Sequence, residues 1–300
     1  MGAPTDSSTP LEAPAAATAP FPYGARLERA VADRGPLCVG LDPHPYLLEA
    51  WGLPVDATGL ERCARGMVEA VGDQVAVFKP QSAFYEVHGA AGIAVLERVL
   101  VDIAAVGALS LLDVKRGDIG STMAAYASAY LGDGAPLAAD AITISPYLGM
   151  GSLAPAIDLA IATGRGVYVL ARTSNPESGT VQHARTPDGR SVAQSIIDGA
   201  AAANGEALAA SAGTGVGPVG LVIGATVGEH GLDLSHLRGS ILAPGLGAQG
   251  AGAADLAVVF GATSSLVLPS SSRELMDPGP DPAALRRAVA DAAASLGERA

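Results

Sequence analysis

The sequence predicts a single-domain α/β protein, a (β/α)8 TIM barrel. Three observations lead there: eight short apolar runs, Ala/Leu-rich helical stretches between them, and polar residues where the runs end. The runs are LCVGLD (37–42), VAVFKP (75–80), LSLLDVK (109–115), AITISP (141–146), GVYVLARTS (166–174), GLVIGAT (220–226), SILAPGLG (240–247) and SSLVLPSS (264–271). They are apolar at successive positions, as parallel strands covered by helices are. Helical stretches fall at 58–72, 92–106, 121–131, 152–163 and 191–211. The fifth opens with Ser191 and Gln194 at capping-box spacing, and a last helix starts with Asp281 as cap and Pro282 at its first position. Eight β-then-α units in about 260 residues fit a closed parallel barrel better than an open sheet, which the same alternation also allows.

The chain has 300 residues, 49% of them hydrophobic, with a mean hydropathy of +0.33, so core material is ample. No apolar run reaches the roughly 20 residues of a membrane span. The opening MGAPTDSSTPLEAPAAATAP has neither the basic start nor the apolar centre of a secretion signal, and Asp6 replaces the Ser or Thr of a myristoylation motif. Residues 1–22 read as a disordered Pro/Ala/Thr tail ahead of a barrel domain over 23–300, and a cytoplasmic location is expected. The net charge of −12 argues against nucleic acid, which needs a basic stripe. A small anion remains a feasible ligand, provided a few cations gather at its site.

Cys38 falls in a strand and Cys63 in a helix without metal-ligand spacing, so both read as reduced core cysteines. The five histidines share no metal or triad spacing, and only His44, beside Asp42, is near the strand ends.

Of 18 basic residues only two are lysine, Lys79 and Lys115. A surface is solvated equally well by arginine, which this chain otherwise uses throughout. Lysine differs in that it can release a proton near neutral pH when its surroundings shift its pKa. The strands end in Asp42, Lys79, Asp113 with Lys115, Ser145, Arg172 with Thr173, and, beyond the last two, Gln249 and Arg273. In a barrel these ends share one rim, where catalytic groups collect.

The densest segment is LLDVKRGDIGST (111–122). Asp113 and Lys115 are two apart on a strand and point the same way. Asp118 follows in the turn, and Ser121 or Thr122 can cap the next helix. A salt-bridged strand end is the bland alternative, but an apolar strand gains little from burying alternating charges. APGLGAQG (243–250) reads either as a plain flexible turn or, with Arg273 after it, as the phosphate position usual in barrels. Arg172 reads equally well as a site cation or as an ion-pair partner behind the site. The polar loop 175–190 reads as a solvated insertion or a cover for the barrel mouth.

The motif Asp113-Val-Lys115-Arg-Gly-Asp118-Ile119 resembles the D-x-K-x-x-D-I signature of orotidine 5′-phosphate decarboxylases, and DVKRGDIGSTMAAYA resembles their longer-chain bacterial branch. GLDPHP (40–45), FKPQSAFYE (78–86), TISPYLG (143–149), ARTSNP (171–176), APGLGAQG (243–250) and SSSR (270–273) follow in the family's order, so the resemblance spans about residues 24–290. Gly151 and Glu274 depart from it, away from the charged groups.

The resemblance implies cofactor-free conversion of orotidine 5′-phosphate to UMP and CO₂ in pyrimidine biosynthesis, by a homodimer with shared active sites and no metal. It implies a charged tetrad of Lys79, Asp113, Lys115 and Asp118, the last supplied to the other subunit's site, with Ile119 and Thr122 reaching across the same interface. It places Asp42 at the ribose, Ser145 at the pyrimidine, and Gln249 and Arg273 at the phosphate. Hexulose-phosphate synthases and keto-gulonate-phosphate decarboxylases, which use Mg²⁺, resemble the same motif. A Schiff-base aldolase and a non-catalytic nucleotide binder are more distant readings.

Overall fold

All eight apolar runs become strands of one closed, all-parallel barrel in chain order. The computed structural model describes residues 22–211, 213, 215–227, 231–246, 253–261 and 266–297. The strands are β1 (Cys38–Leu41), β2 (Val77–Pro80), β3 (Leu109–Arg116), β4 (Ala141–Ile144), β5 (Gly166–Arg172), β6 (Val219–Ile223), β7 (Ser240–Pro244) and β8 (Leu266–Ser271). β1 pairs with both β2 and β8, which closes the ring.

Among the described residues eight longer helices accompany them: α1 (Tyr23–Arg34), α2 (Ala57–Val71), α3 (Gly89–Ala105), α4 (Gly120–Leu131), α5 (Ala154–Ala162), α6 (Val192–Ala210), α7 (Ala253–Phe260) and α8 (Pro282–Gly297). Short helices at Pro45–Ala50, Ala83–Glu86, Gly179–Gln182 and Arg273–Met276 follow the C-terminal ends of β1, β2, β5 and β8, too brief for periodicity to reveal. The expected caps form in part. Asp281 accepts from Ala283 N–H at 3.1 Å. Ser191 accepts from Gln194 N–H at 3.1 Å, but Gln194 turns its amide to Asp198 and the Asp233 backbone, leaving half a capping box.

Two features depart from a simple eightfold repeat. Helix α1 precedes the first strand and plugs the barrel floor, where Tyr23 and Leu27 are buried against Cys38, Val77, Leu111, Ala141, Tyr168, Val222, Leu242 and Leu268. Each large side chain so buried contributes about 1.5–3 kcal/mol. The Tyr168 hydroxyl bridges Tyr23 at 3.0 Å and Ser240 at 2.6 Å, so the floor's polar atoms are satisfied. Its ring claims the space beside β6: a Cβ on Gly220 would stand 2.6 Å from it.

The second departure corrects the count of eight β-then-α units, because the described residues between β6 and β7 contain no helix. The segment GATVGEHGLDLSHLRG has no 3.6-residue apolar period. Leu234 and Leu237 are buried there instead, and the buried Asn204 of α6 donates to the Val219 and Leu237 carbonyls at 2.8 Å each. One buried amide thus satisfies a carbonyl at the start of β6 and another in the connection to β7. Among the described residues no helix is long and apolar enough to cross a membrane.

Cys38 and Cys63 are free and buried, and burial pushes both thiols up to about 12. Neither is expected to react with a thiol reagent such as DTNB at pH 8 in the native protein, whereas both should react in guanidinium. Fast labelling of the native protein would mean that the core opens readily.

Candidate active site

The chemistry gathers where β1–β4 end. Lys79 is the third residue of β2, with Gly40 of β1 as its register partner. Its side chain is only 7% exposed, and Nζ lies 3.6 Å from Asp42 Oδ1 and 3.7 Å from Asp113 Oδ2. Burial alone would push this ammonium down, but the two carboxylates outweigh it and hold Lys79 above the ordinary lysine range.

Asp113 is the hub. Its Oδ2 accepts from Lys115 Nζ at 2.6 Å and from Gln81 Nε2 at 2.8 Å, while Oδ1 accepts from the Thr143 hydroxyl at 2.6 Å. Burial pushes its carboxyl up, yet Lys79, Lys115 and the Thr143 hydrogen bond keep it below the usual carboxylate range. An ionised, nearly buried carboxylate flanked by both lysines of the chain is the central electrostatic fact of the site.

Lys115 meets Asp113 as strand alternation requires, but not through a regular strand. Its backbone has φ +45°, and the β3–β4 register shifts between Leu112 and Arg116. A non-glycine residue held left-handed at a bulge is strained, and such strain clusters at functional sites. The Lys115 side chain is 46% exposed, against 9% for Asp113. The ammonium is thus anchored on one side and open on the other.

The remaining expected residues divide. Asp42 follows β1, and its buried Oδ1 has no hydrogen-bond partner among the described residues. Ser145 follows β4, its N–H bonded to the Arg116 carbonyl at 2.8 Å. Arg273 is exposed and opens the helix after β8 rather than lying on the strand. It is near enough to His44 to act with burial in holding that imidazole below its ordinary range, against the pull of Asp42.

Asp118 makes no ion pair with either lysine within the described chain; its carboxylate accepts the next residue's N–H, that of Ile119, at 2.8 Å. Ile119 and Thr122 are exposed at the start of α4. That helix begins at Gly120 with Ile119 at its cap position and no side-chain cap, so Ser121 and Thr122 do not cap it. Gln249 lies outside the described residues, as does the second half of the glycine-rich segment. The tail over 1–21 also lies outside them.

Of the two roles left open for Arg172, the ion pair does not form among the described residues. A second register shift, between Leu170 and Arg172, pairs it with Ile223, whose side chain belongs to the outer core. Its guanidinium binds Thr173 O, Ser178 Oγ and Gln182 Oε1, anchoring the polar loop behind the rim.

Two residues of the network escaped attention in the sequence, Gln81 and Thr143. Thr143 carried a usable signal. In AITISP, Thr143 and Ser145 alternate with Ile142 and Ile144, a period of two that puts polar atoms on one face of an apolar strand.

A closed barrel with a lysine–carboxylate network at its C-terminal rim defines a (β/α)8-barrel enzyme. The family model described as "Orotidine 5′-phosphate decarboxylase / HUMPS family" matches residues 35–286, and the chain belongs to that family. An orotidine 5′-phosphate decarboxylase of Salinispora arenicola is 59% identical over 278 residues, covering 91% of this chain and 98% of the relative. A crystal structure from Streptomyces avermitilis, provisionally named an orotidine 5′-phosphate decarboxylase, superposes with a TM-score of 0.88 at 53% identity, covering 93% of this chain and 96% of the other. The OMP decarboxylase of Leishmania donovani gives a TM-score of 0.70 at 30% identity, covering 92% and 98%.

Proposed function

We propose that this chain decarboxylates orotidine 5′-phosphate to UMP, the pyrimidine-forming activity that its relatives' names carry. The observation that carries the reading is the Lys115–Asp113 pair, a half-exposed ammonium tied at 2.6 Å to a nearly buried carboxylate.

Breaking the bond to CO₂ leaves an electron pair in the plane of the pyrimidine, where the ring π-system cannot delocalise it. Stabilisation must come from a fixed positive charge beside the reacting carbon. Lys115 provides that charge and then donates a proton to the same carbon, giving UMP; arginine could do the first but not the second. Asp113 sits against the departing carboxylate and orients Lys115. Lys79 helps hold Asp113 ionised and lies beside Asp42. Asp42 Oδ1, which has the Lys79 ion pair but no hydrogen bond, suits a ribose hydroxyl, and Ser145, just after β4, is assigned to the pyrimidine edge.

Arg273 and Gln249 take the phosphate, whose binding energy can be expressed in the transition state. In a homodimer with shared sites, Asp118, Ile119 and Thr122 complete the neighbouring site; the exposure of Ile119 and Thr122, and the absence of an Asp118 ion pair within the described chain, support that arrangement.

An absorbance assay of orotidine 5′-phosphate tests the reading. Rapid conversion to UMP is expected, with an unchanged rate in EDTA, because the ammonium does the work assigned to Mg²⁺ in related barrels. Loss of activity with the chelator, or no turnover at all, would overturn it.

A further inference from the structure

Thr143 is 1% exposed in the barrel wall behind the lysine–aspartate pair. Its Oγ1 donates to Asp113 Oδ1 at 2.6 Å and accepts the backbone N–H of Lys115 at 2.9 Å. A single hydroxyl therefore joins the carboxylate to the peptide of the residue whose amine carries the chemistry.

That peptide needs the help. In an undisturbed parallel ladder the Lys115 N–H would find a backbone carbonyl, but the bulge between Leu112 and Arg116 interrupts the pairing with β4. Thr143 supplies the missing acceptor. A hydroxyl has one proton to give, so while it accepts from Lys115 it donates to Asp113. Among the described residues Asp113 Oδ1 has no other hydrogen-bond donor, whereas Oδ2 is held by Lys115 and Gln81.

We propose that Thr143 is a positioning residue for decarboxylation, locking the Asp113 carboxylate and the bulged Lys115 backbone together so that the ammonium is aimed at the reacting carbon. The inference rests on the role given to Lys115 above. Without the hydroxyl, Asp113 can rotate about its side chain and the left-handed backbone at Lys115 can relax, each moving the ammonium.

The test compares Thr143→Val, which keeps the shape and loses the hydroxyl, with Thr143→Ser, which keeps the hydroxyl. Because misplacement by about 1 Å costs about 10²-fold, kcat of Thr143→Val should fall by about 30–100-fold, while UMP affinity stays within about threefold. Thr143→Ser should stay within about fivefold of wild type. A merely structural role would not move the pH profile. The groups facing Asp113 are Lys79 and Gln81 from the β2 side, Lys115 on its own strand and Thr143 on β4, with Asp42 beyond Lys79. Losing one donor to the ionised form should shift the acid limb of kcat/KM to higher pH in Thr143→Val and leave it in place in Thr143→Ser.

If Thr143→Val does not fold, Thr143→Ala against Thr143→Ser carries the same contrast. Wild-type kcat with an unmoved acid limb in the hydroxyl-free variant, or a serine variant as slow as that variant, would overturn the positioning role. A wild-type protein without turnover would sink the functional reading as well; an active wild type indifferent to the hydroxyl sinks the positioning role alone.

Discussion

Lys115→Ala is expected to lower the decarboxylation rate by at least about 10⁴-fold, combining the loss of a preorganised charge, typically 10²–10³-fold, with that of a general acid, 10²–10⁴-fold. UMP should still bind, because the phosphate and ribose contacts proposed for Arg273, Gln249 and Asp42 do not involve this side chain. Folding should be little affected, since the Lys115 side chain is half exposed and its pairing partner Asp113 keeps Lys79, Gln81 and Thr143. Lys115→Arg should recover little, because guanidinium keeps the charge but is a poor proton donor. An absorbance assay with parallel UMP titration reads all of this, and an alanine variant near wild-type rate would remove Lys115 from the reaction. The same variant probes the shared site. Mixed with inactive Asp118→Ala and allowed to exchange subunits, it should regain about one quarter of wild-type activity, since half the dimers are mixed and each holds one intact site. A mixture no more active than its parts would show that Asp118 does not serve its neighbour.

Lys79→Met should be the most destabilising change at the rim. The side chain is 7% exposed and is the cation between Asp42 and Asp113. Removing one member of a buried charge network leaves the others uncompensated, at a cost of about 3–5 kcal/mol. The pH dependence gives the sharper signature. In the wild type, Lys79 is raised in the folded state, so its contribution is complete below about pH 10.4 and fades as pH rises through the folded value. Asp113 is lowered, so its contribution is complete above about pH 3.9 and fades as pH falls through the folded value. Stability at these groups is therefore flat between pH 5 and 8. In Lys79→Met, burial and mutual repulsion of Asp42 and Asp113 raise one carboxyl, which makes protonation favourable on folding. The variant should then melt higher at pH 5 than at pH 7, while the wild type barely changes. Equal losses at both pH values would show that Lys79 is not the counter-ion of these carboxylates.

The eight strands were legible because each is a short apolar run bounded by polar residues, a pattern imposed by helices outside and side chains within. Asp42, Lys79, Asp113 and Lys115 were legible for a related reason: charges at the ends of apolar strands, and lysine used nowhere else in an arginine-rich chain, stand out against a uniform background. The bonds of Arg172 to the loop after β5 were not legible, because a register shift follows Leu170 and register shifts depend on the neighbouring strand. Nor was the floor plug, since nothing local in YGARLERAVADR says where α1 packs.

Periodicity and composition by themselves determined eight apolar strands, an α/β fold that favours a barrel, and the identity of the charged residues at the strand ends, because burial constrains residue type at every strand position. Only the tertiary structure decided which hydrogen bonds each charge makes. Joining Asp113 to Thr143, and bending Lys115 into a left-handed bulge, requires strands 30 residues apart in sequence to meet in one register. That register is a property of the closed ring, not of either strand alone.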